Sequence, residues 1–281
     1  MSLKRFLLIL MLWLMVSTSW SQSLKILTYN IRYDNPGDGD NSWINRRAWL
    51  CEQIQQVNPD LFGIQEGLIS QIIYLDSVFS DYRHIGVGRN DGKTKGEFSA
   101  IYYNYKKFSL LSQGTFWLSP TPQKASVGWD AALERICTYG LFQEVASGKK
   151  FWMFNTHFDH VGTEARKNSA LLILQKMKKL NTEGYSVILT GDFNATPESE
   201  AIKIIDAELQ DSKVADKSMM MGTGGTFNNF DTTKPATERI DYIFTGKGLR
   251  ATNYYILRNS RDGHYGSDHF PVIATLKFNT E

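Results

Sequence analysis

Residues Cys137–His157 read CTYGLFQEVASGKKFWMFNTH. Two runs rich in strand formers, Cys137–Val145 and Phe151–His157, follow one another here with no helical stretch between them. The same holds for much of the chain between Tyr82 and His157. Strands and helices are therefore not strictly interleaved, which argues against a sheet built only from parallel crossovers. The mixture predicts an α/β protein with two largely antiparallel or mixed sheets packed face to face and helices outside them.

Working outward, further strands are expected at Leu24–Ile31, Leu61–Gln65, Phe98–Tyr103, Ser186–Thr190, Ile240–Phe244 and Pro271–Phe278. Helices are expected at Asn45–Val57, which would end before Asn58-Pro59, and at Thr163–Leu180. In the latter Ala170, Ile173, Leu174, Met177 and Leu180 recur at helical spacing while Lys176 and Lys179 point elsewhere. A further helix is expected at Pro197–Glu208, with Thr196 as N-cap and Pro197 in the first turn. No repeat, low-complexity stretch or linker interrupts this pattern, so residues 22–281 are read as one domain.

The start of the chain reads differently. Lys4-Arg5 precedes an unbroken apolar run, Phe6–Val16, and then Ser17–Ser21, which is small and polar apart from Trp20. That order predicts a signal peptide over residues 1–21 and a secreted or periplasmic protein. The alternative is an uncleaved anchor, but the run is short for a membrane span. After cleavage no stable membrane span is expected. The 281 residues are 42% hydrophobic and 21% charged, a globular composition. The chain has 31 Lys+Arg against 29 Asp+Glu. Losing Lys4 and Arg5 would balance the charges, which gives no long-range attraction to a polyanion. The only cysteines, Cys51 and Cys137, are read as two separate buried thiols in preference to a bridge.

Polar residues gather where strands end. Asn30 closes the first strand and Glu66 follows the second, in IQE. His157 and Asp159 follow FWMFNT, Asp192 and Asn194 follow SVILTG, Asp241 lies in RIDYIF, and Asp268 and His269 lie in SDHFPV. Taken singly, each has a plainer explanation: a turn for Asn30 or GDFN, a surface charge for Glu66, a packed imidazole for His157. Together they place oxygen donors and two histidines on the rim of a rigid scaffold. An oxygen-rich set suits Mg²⁺ or Mn²⁺, and no Cys/His cluster has zinc spacing.

The ordered strings TYNIR, IQE, GEFSAIYY, NTHFDH, GDFNATP, RIDYIF and SDHFP resemble the endonuclease/exonuclease/phosphatase superfamily. Its branches include pancreatic-type deoxyribonucleases, abasic-site endonucleases, neutral sphingomyelinases, inositol-polyphosphate 5-phosphatases and nocturnin-type deadenylases. The resemblance runs from about Leu24 to Phe278 and implies a four-layer α/β sandwich. It implies Glu66 as main Mg²⁺ ligand, with Asn30 beside it and Asp268 near the same metal. Asp192 and Asn194 would activate the attacking water and hold a phosphoryl oxygen. His269, oriented by Asp241, would bind the phosphate and stabilise its developing charge. His157 would be a second catalytic histidine with Glu97 as carboxylate partner. Arg135, in ALERICTYG, resembles an arginine that reaches the phosphate, though a structural ion pair explains it equally well.

The chemistry is coherent without the family name. A carboxylate within reach can serve as base for water, and a metal with a charged imidazole lowers the barrier where charge grows on phosphate oxygens. An adjacent carboxylate raises a histidine pKa, so Asp241 would favour imidazolium at His269. Thr226–Asn229 (TFNN) is expected at the pocket rim or in a turn. The stretch Gly114–Trp129 is expected to border the site, where Phe116, Trp117 and Trp129 would stack on a base or sugar or touch a lipid, unless they are ordinary core.

The function expected is therefore metal-dependent hydrolysis of a phosphate ester, diester or monoester. A secreted nuclease, with nucleic acid as substrate, and a silent binding protein on the same scaffold are the alternatives. Balanced charge and the lack of a basic run speak against DNA repair. The silent protein would have no need of Asp192, Asn194, Asp241 and His269 together. No protein partner is evident.

Overall fold

The computed structural model describes residues 23–213 and 224–279; the expected leader Met1–Ser21 lies outside the described residues. In chain order the elements are β1 (Ser23–Asn30), α1 (Trp43–Val57), β2 (Leu61–Gln65), α2 (Ile69–Val78), β3 (Tyr82–Ile85), β4 (Ile101–Asn104), β5 (Phe108–Trp117) and β6 (Ile136–Glu144). There follow β7 (Lys150–His157), α3 (Thr163–Leu180), β8 (Ser186–Asp192), α4 (Glu200–Asp206), β9 (Gln210–Asp211), β10 (Asp241–Thr245), β11 (Leu249–Ile256) and β12 (Val272–Phe278). One sheet has the order β11-β12-β1-β2-β4-β3 and the other β5-β6-β7-β8-β10-β9. Both are mixed: β1–β2 and β7–β8 run parallel, and the other pairs antiparallel.

Strand alternation builds the layers. On β1, Leu24 and Ile26 face the other sheet, while Leu27 and Tyr29 face the helices. On β7, Phe151 and Met153 take the inner face and Trp152 and Phe154 the outer. The inner faces share a core that includes Ile188, Ile243 and Val272. Outside it, α1 and α2 cover the first sheet through Leu50, Ile54, Ile72 and Leu75, and α3 and α4 cover the second through Ile173, Leu174, Ile202 and Ile205. This is the four-layer α/β sandwich expected. No helix among the described residues is long and apolar enough to cross a membrane.

Two expectations need correction, and several elements were not expected. The helix expected at Pro197–Glu208 is shorter, because Ser199 takes the cap: its Oγ accepts from the Ile202 N–H at 3.3 Å, and Thr196-Pro197 stays in the preceding turn. Gly114–Trp129 is not an aromatic wall of the site. Its first four residues finish β5, and Phe116 and Trp117 are buried, with Trp117 Nε1 donating to Arg89 O at 2.6 Å. Trp129 is exposed but faces α3, in a surface hollow with Pro120, Leu171 and Lys176. Finally, α2, a short 3-10 helix at Pro36–Asn41 and the strands β3, β5, β9 and β11 were not legible from the pattern. Cys51 and Cys137 are both free and buried, in different core clusters.

Candidate functional site

Toward one end of the sandwich the inner faces turn from apolar to polar. On β1 the inward residues after Ile26 are Thr28 and Asn30; on β2, after Leu61, Gly63 and Gln65; on β7, after Met153, Asn155 and His157; on β8, after Ile188, Thr190 and Asp192. The lower tier of this polar end stitches the sheets together. Gln65 Nε2 donates to Thr28 Oγ1 (3.0 Å) and to Asn155 Oδ1 (2.7 Å), and Thr190 Oγ1 donates to the same Asn155 oxygen (3.0 Å). Asn155 Nδ2 donates across to Ile64 O and Ala100 O. Gly63 leaves room for this amide: a Cβ there would lie 2.6 Å from Asn155 Cγ and 2.8 Å from Thr190 Oγ1. Every one of these polar atoms is satisfied within the tier except Gln65 Oε1, so the tier fixes the spacing of the sheets.

The upper tier is the candidate site. His157, Asp192 and Asp241 form one row across β7, β8 and β10 by strand register. Asn30 faces them from the first sheet. Its Nδ2 donates to Asp192 Oδ2 (2.9 Å) and Glu66 Oε1 (3.0 Å) and lies 3.4 Å from His269 Nε2. Asp241 Oδ2 lies 2.9 Å from His269 Nδ1, and His269 Nε2 is 3.7 Å from Asp192 Oδ2. Asn194, just past β8, donates its backbone N–H to Asp192 Oδ1 (2.9 Å), and its Nδ2 bonds His157 Nε2 (3.0 Å) and Phe158 O (3.0 Å). Glu66 and Asn194 both hold φ in the left-handed region, +65° and +45°, a cost accepted where a side chain must be aimed. All of them line a cavity of about 580 Å³, apart from Asn30 and Asp241, which lie beneath it.

Burial and crowding set the charges. Burial alone would lower the His269 pKa, but the Asp241 and Asp192 carboxylates outweigh it and hold that imidazole well above its ordinary value. Burial, reinforced by the Asp241 charge, pushes the Asp192 carboxyl up to about 7. Burial pushes Glu97 and Asp268 upward too, in each case with the Glu66 charge adding to it. His157 is driven the other way, by burial and by the Arg135 and Arg89 charges, so it stays neutral. Carboxylates buried side by side, their charge opposed first by burial, are what a divalent cation would stabilise. Donor atoms of Glu66, His157 and Asp192 lie within 4.8 Å of one another, as do those of Asp192, Asp241 and His269. Mostly oxygen donors fit Mg²⁺ or Mn²⁺. Asp268 stands outside both groups, tied to Ser267 Oγ at 3.2 Å and 3.8 Å from Arg32 Nε. Asn30 Oδ1 already accepts from the Arg32 N–H, so offering it to a cation would require the amide to turn over.

Glu97 is less intimate with His157 than the resemblance implied. Its Oε2 is 3.9 Å from His157 Nδ1, which has no hydrogen-bond partner, and 2.6 Å from Arg89 Nη1. Arg135 makes the structural ion pair that was its plainer reading. Nε bonds Asp159 Oδ1 (3.2 Å) and Nη2 meets His160 Nδ1 (3.0 Å), while the buried Nη1 is unpartnered and the side chain lines the cavity. Sequence reasoning noted Asp159 without giving it a part: besides Arg135 it accepts the Val161 and Gly162 N–H groups before α3. It also missed Arg46. This buried guanidinium donates to the carbonyls of Ile31, Arg32, Asn41 and Gly266 and so pins three loops around the site. Only its helical position was legible, because its partners are distant backbone atoms. Of the TFNN string, Phe227 and Asn229 line the cavity, and Thr226 Oγ1 accepts the Ile240 and Asp241 N–H groups beneath it.

Relatives carry the same arrangement of chain. A mannosyl-6-phosphatase of Bacteroides thetaiotaomicron superposes with a TM-score of 0.85 at 38% identity, covering 91% of this chain and 100% of that one. The human Nocturnin catalytic domain superposes at 0.73 with 19% identity over 92% of this chain and 94% of its own, a likeness of fold. An uncharacterized protein of Acanthamoeba polyphaga mimivirus is 32% identical over 159 residues, 54% of this chain. The chain spans 59% of that relative's length. The sequence profile described as the Endonuclease/Exonuclease/phosphatase family matches residues 27–269, from the first strand to the histidine held by Asp241. With that span, fold and site, the chain belongs to the endonuclease/exonuclease/phosphatase family.

Proposed function

We propose that this chain is an exported, divalent-metal-dependent hydrolase whose substrate is a small phosphate monoester. The observation that carries the reading is a charged imidazole and a buried carboxyl side by side on one cavity, with His269 Nε2 3.7 Å from Asp192 Oδ2. His269 is held charged by Asp241, and Asp192, with its carboxyl near 7, is able to accept a proton at neutral pH. Asn194 spends both amide hydrogens on His157 and Phe158 O, which leaves its Oδ1 to accept a hydrogen from water beside Asp192. Asp192 takes the proton as the water oxygen attacks phosphorus. The bond from phosphorus to the alcohol oxygen breaks, and that oxygen takes its proton from solvent. The imidazolium of His269 meets the negative charge that grows on the phosphoryl oxygens. A cation held by Glu66, with Asn30 and Asp268 beside it, would when bound polarise those oxygens.

Three features favour a small monoester over nucleic acid. The cavity is about 580 Å³, the size of a small-molecule site. Its lining carries only two guanidinium groups, and both already face acids, Arg32 with Asp38 and Arg135 with Asp159. A long polyanion would need many more free cations. The relative at 38% identity bears the name mannosyl-6-phosphatase. Export rests on the basic, apolar and small-residue order of Met1–Ser21. The test is a panel of mannose 6-phosphate, p-nitrophenyl phosphate, bis-p-nitrophenyl phosphate and plasmid DNA, with Mg²⁺, Mn²⁺ or excess EDTA. Metal-dependent turnover of the monoesters above the diesters supports the reading. Full activity in EDTA, or DNA as the best substrate, contradicts it.

A further inference from the structure

The wall of the cavity away from the catalytic row holds two aromatic rings that catalysis does not use. Phe230 has φ +57°, next to Asn229 at +51°. Two successive left-handed residues, one of them bulky, are strained where glycine would be at ease. The surroundings hold them there. Asn228 Oδ1 accepts the Phe230 N–H at 2.8 Å, Asn228 Nδ2 donates to Ser267 O, and the Asn228 and Asn229 N–H groups both bond Asp268 O. The result is a Phe230 ring that is only half-buried, on the cavity wall, with the Arg46 guanidinium 5.7 Å from its centroid. Nothing in the hydrophobic core needs that ring there. The second ring, Tyr33, also lines the cavity and lies 4.6 Å from the Arg32 guanidinium. Arg46 joins the two walls, since its Nη2 donates to Arg32 O at 2.7 Å. Asn229 and Glu238 complete this side. Both are exposed, and neither side chain has a partner among the described residues.

We infer that Phe230 and Tyr33, with the Asn229 amide and Glu238 carboxylate, form a leaving-group subsite for a pyranose ring esterified to phosphate. The inference rests on the phosphatase reading above and extends it to the organic half of the substrate. A sugar presents a patch of C–H groups to an aromatic face and vicinal hydroxyls to acceptors, and this wall offers both. A nucleotide chain would meet the uncompensated Glu238 charge, and an acyl chain would leave Glu238 and Asn229 without partners. Strain at Phe230 is then the cost of presenting the ring, the sense in which backbone outliers gather at ligand sites.

The test compares kcat/KM for mannose 6-phosphate and for glycerol phosphate, whose leaving group lacks a ring, in wild type, F230G, F230Y and E238Q. F230G is the informative variant because glycine relieves the φ strain, so the protein should unfold at a midpoint no lower than wild type. F230G is expected to lose on the order of 10-fold in kcat/KM for the sugar phosphate, mostly through KM, and less than about 2-fold for glycerol phosphate. F230Y should restore the sugar phosphate, and E238Q should fall between. Equal losses on both substrates would mean that Phe230 only braces Asp268, and no loss would mean that the ring touches nothing; either overturns the subsite. So does a wild-type protein that prefers glycerol phosphate, which leaves the phosphatase reading standing. Calorimetric binding of mannose 6-phosphate to wild type and F230G reads the subsite without turnover, so a protein with no hydrolytic activity sinks only the phosphatase reading.

Discussion

Replacing Gly63 by alanine should be strongly destabilising, because it forces a methyl into the polar tier that joins the two sheets. The added Cβ would fall well inside van der Waals contact with Asn155 Oδ1, 2.6 Å from Asn155 Cγ and 2.8 Å from Thr190 Oγ1. Neither neighbour can yield cheaply. Asn155 is fully buried, with both amide hydrogens on carbonyls of the first sheet and its oxygen accepting from Gln65 and Thr190. Overpacking costs about 1–3 kcal/mol, and displacing the amide loses at least two buried hydrogen bonds at about 1 kcal/mol each. The sum, about 3–5 kcal/mol, corresponds to a fall of roughly 10 °C in melting temperature for a chain of this size. Thermal and urea unfolding followed by circular dichroism measure it. In an Asn155→Ala background the same methyl has room, so Gly63→Ala should cost there less than about half as much. A single variant within about 1 kcal/mol of wild type, or a cost unchanged by Asn155→Ala, would refute the claim that this tier sets the sheet spacing.

Three further outcomes follow from the site. Saturating Mn²⁺ or Mg²⁺ should stabilise the wild type by about 2–3 kcal/mol at 100 times Kd and should not stabilise Glu66→Ala; an equal shift in both would remove Glu66 from the metal site. Asp159→Ala strips a buried guanidinium of its carboxylate and should cost about 3–5 kcal/mol in unfolding free energy, while Asp76→Ala, on an exposed pair with His84, should cost under about 1 kcal/mol. Mass spectrometry of protein from its native host should find an N-terminus near Gln22 outside the cytoplasm; an intact Met1 on soluble cytoplasmic protein would count against export.

The legible part of the fold was its interior. The eight strands expected from sequence correspond to β1, β2, β4, β6, β7, β8, β10 and β12, and among the described residues these are the inner strands of the two sheets. The four that escaped, β3, β5, β9 and β11, are the sheet edges. Edge strands are covered on fewer sides, and two of these also carry bulges, between Leu110 and Ser112 in β5 and between Ala251 and Asn253 in β11. A bulge shifts alternation by one residue and destroys the period-two signal. The upper tier of the site was legible because its residues lie at, or within a few residues of, the ends of inner strands. Arg46 and Phe230 were not, since one acts through carbonyls far away in sequence and the other through a backbone angle that composition does not reveal. Phe116 and Trp117 take the ordinary-core alternative, because the first four residues of their string finish an edge strand whose side chains turn inward.

The central claim is that Asp192 and His269 act on one phosphoryl group, the first through the water and the second through the oxygens that gain charge. Steady-state kinetics of Asp192→Asn, His269→Ala and the double variant, on the best substrate of the panel and with folding checked by circular dichroism, tests it most directly. Each single variant should lose on the order of 10²-fold or more in kcat with a smaller change in KM, and the double variant far less than the product of the two. A folded single variant that keeps near-wild-type turnover, or losses that multiply, would contradict the mechanism even with the fold unchanged.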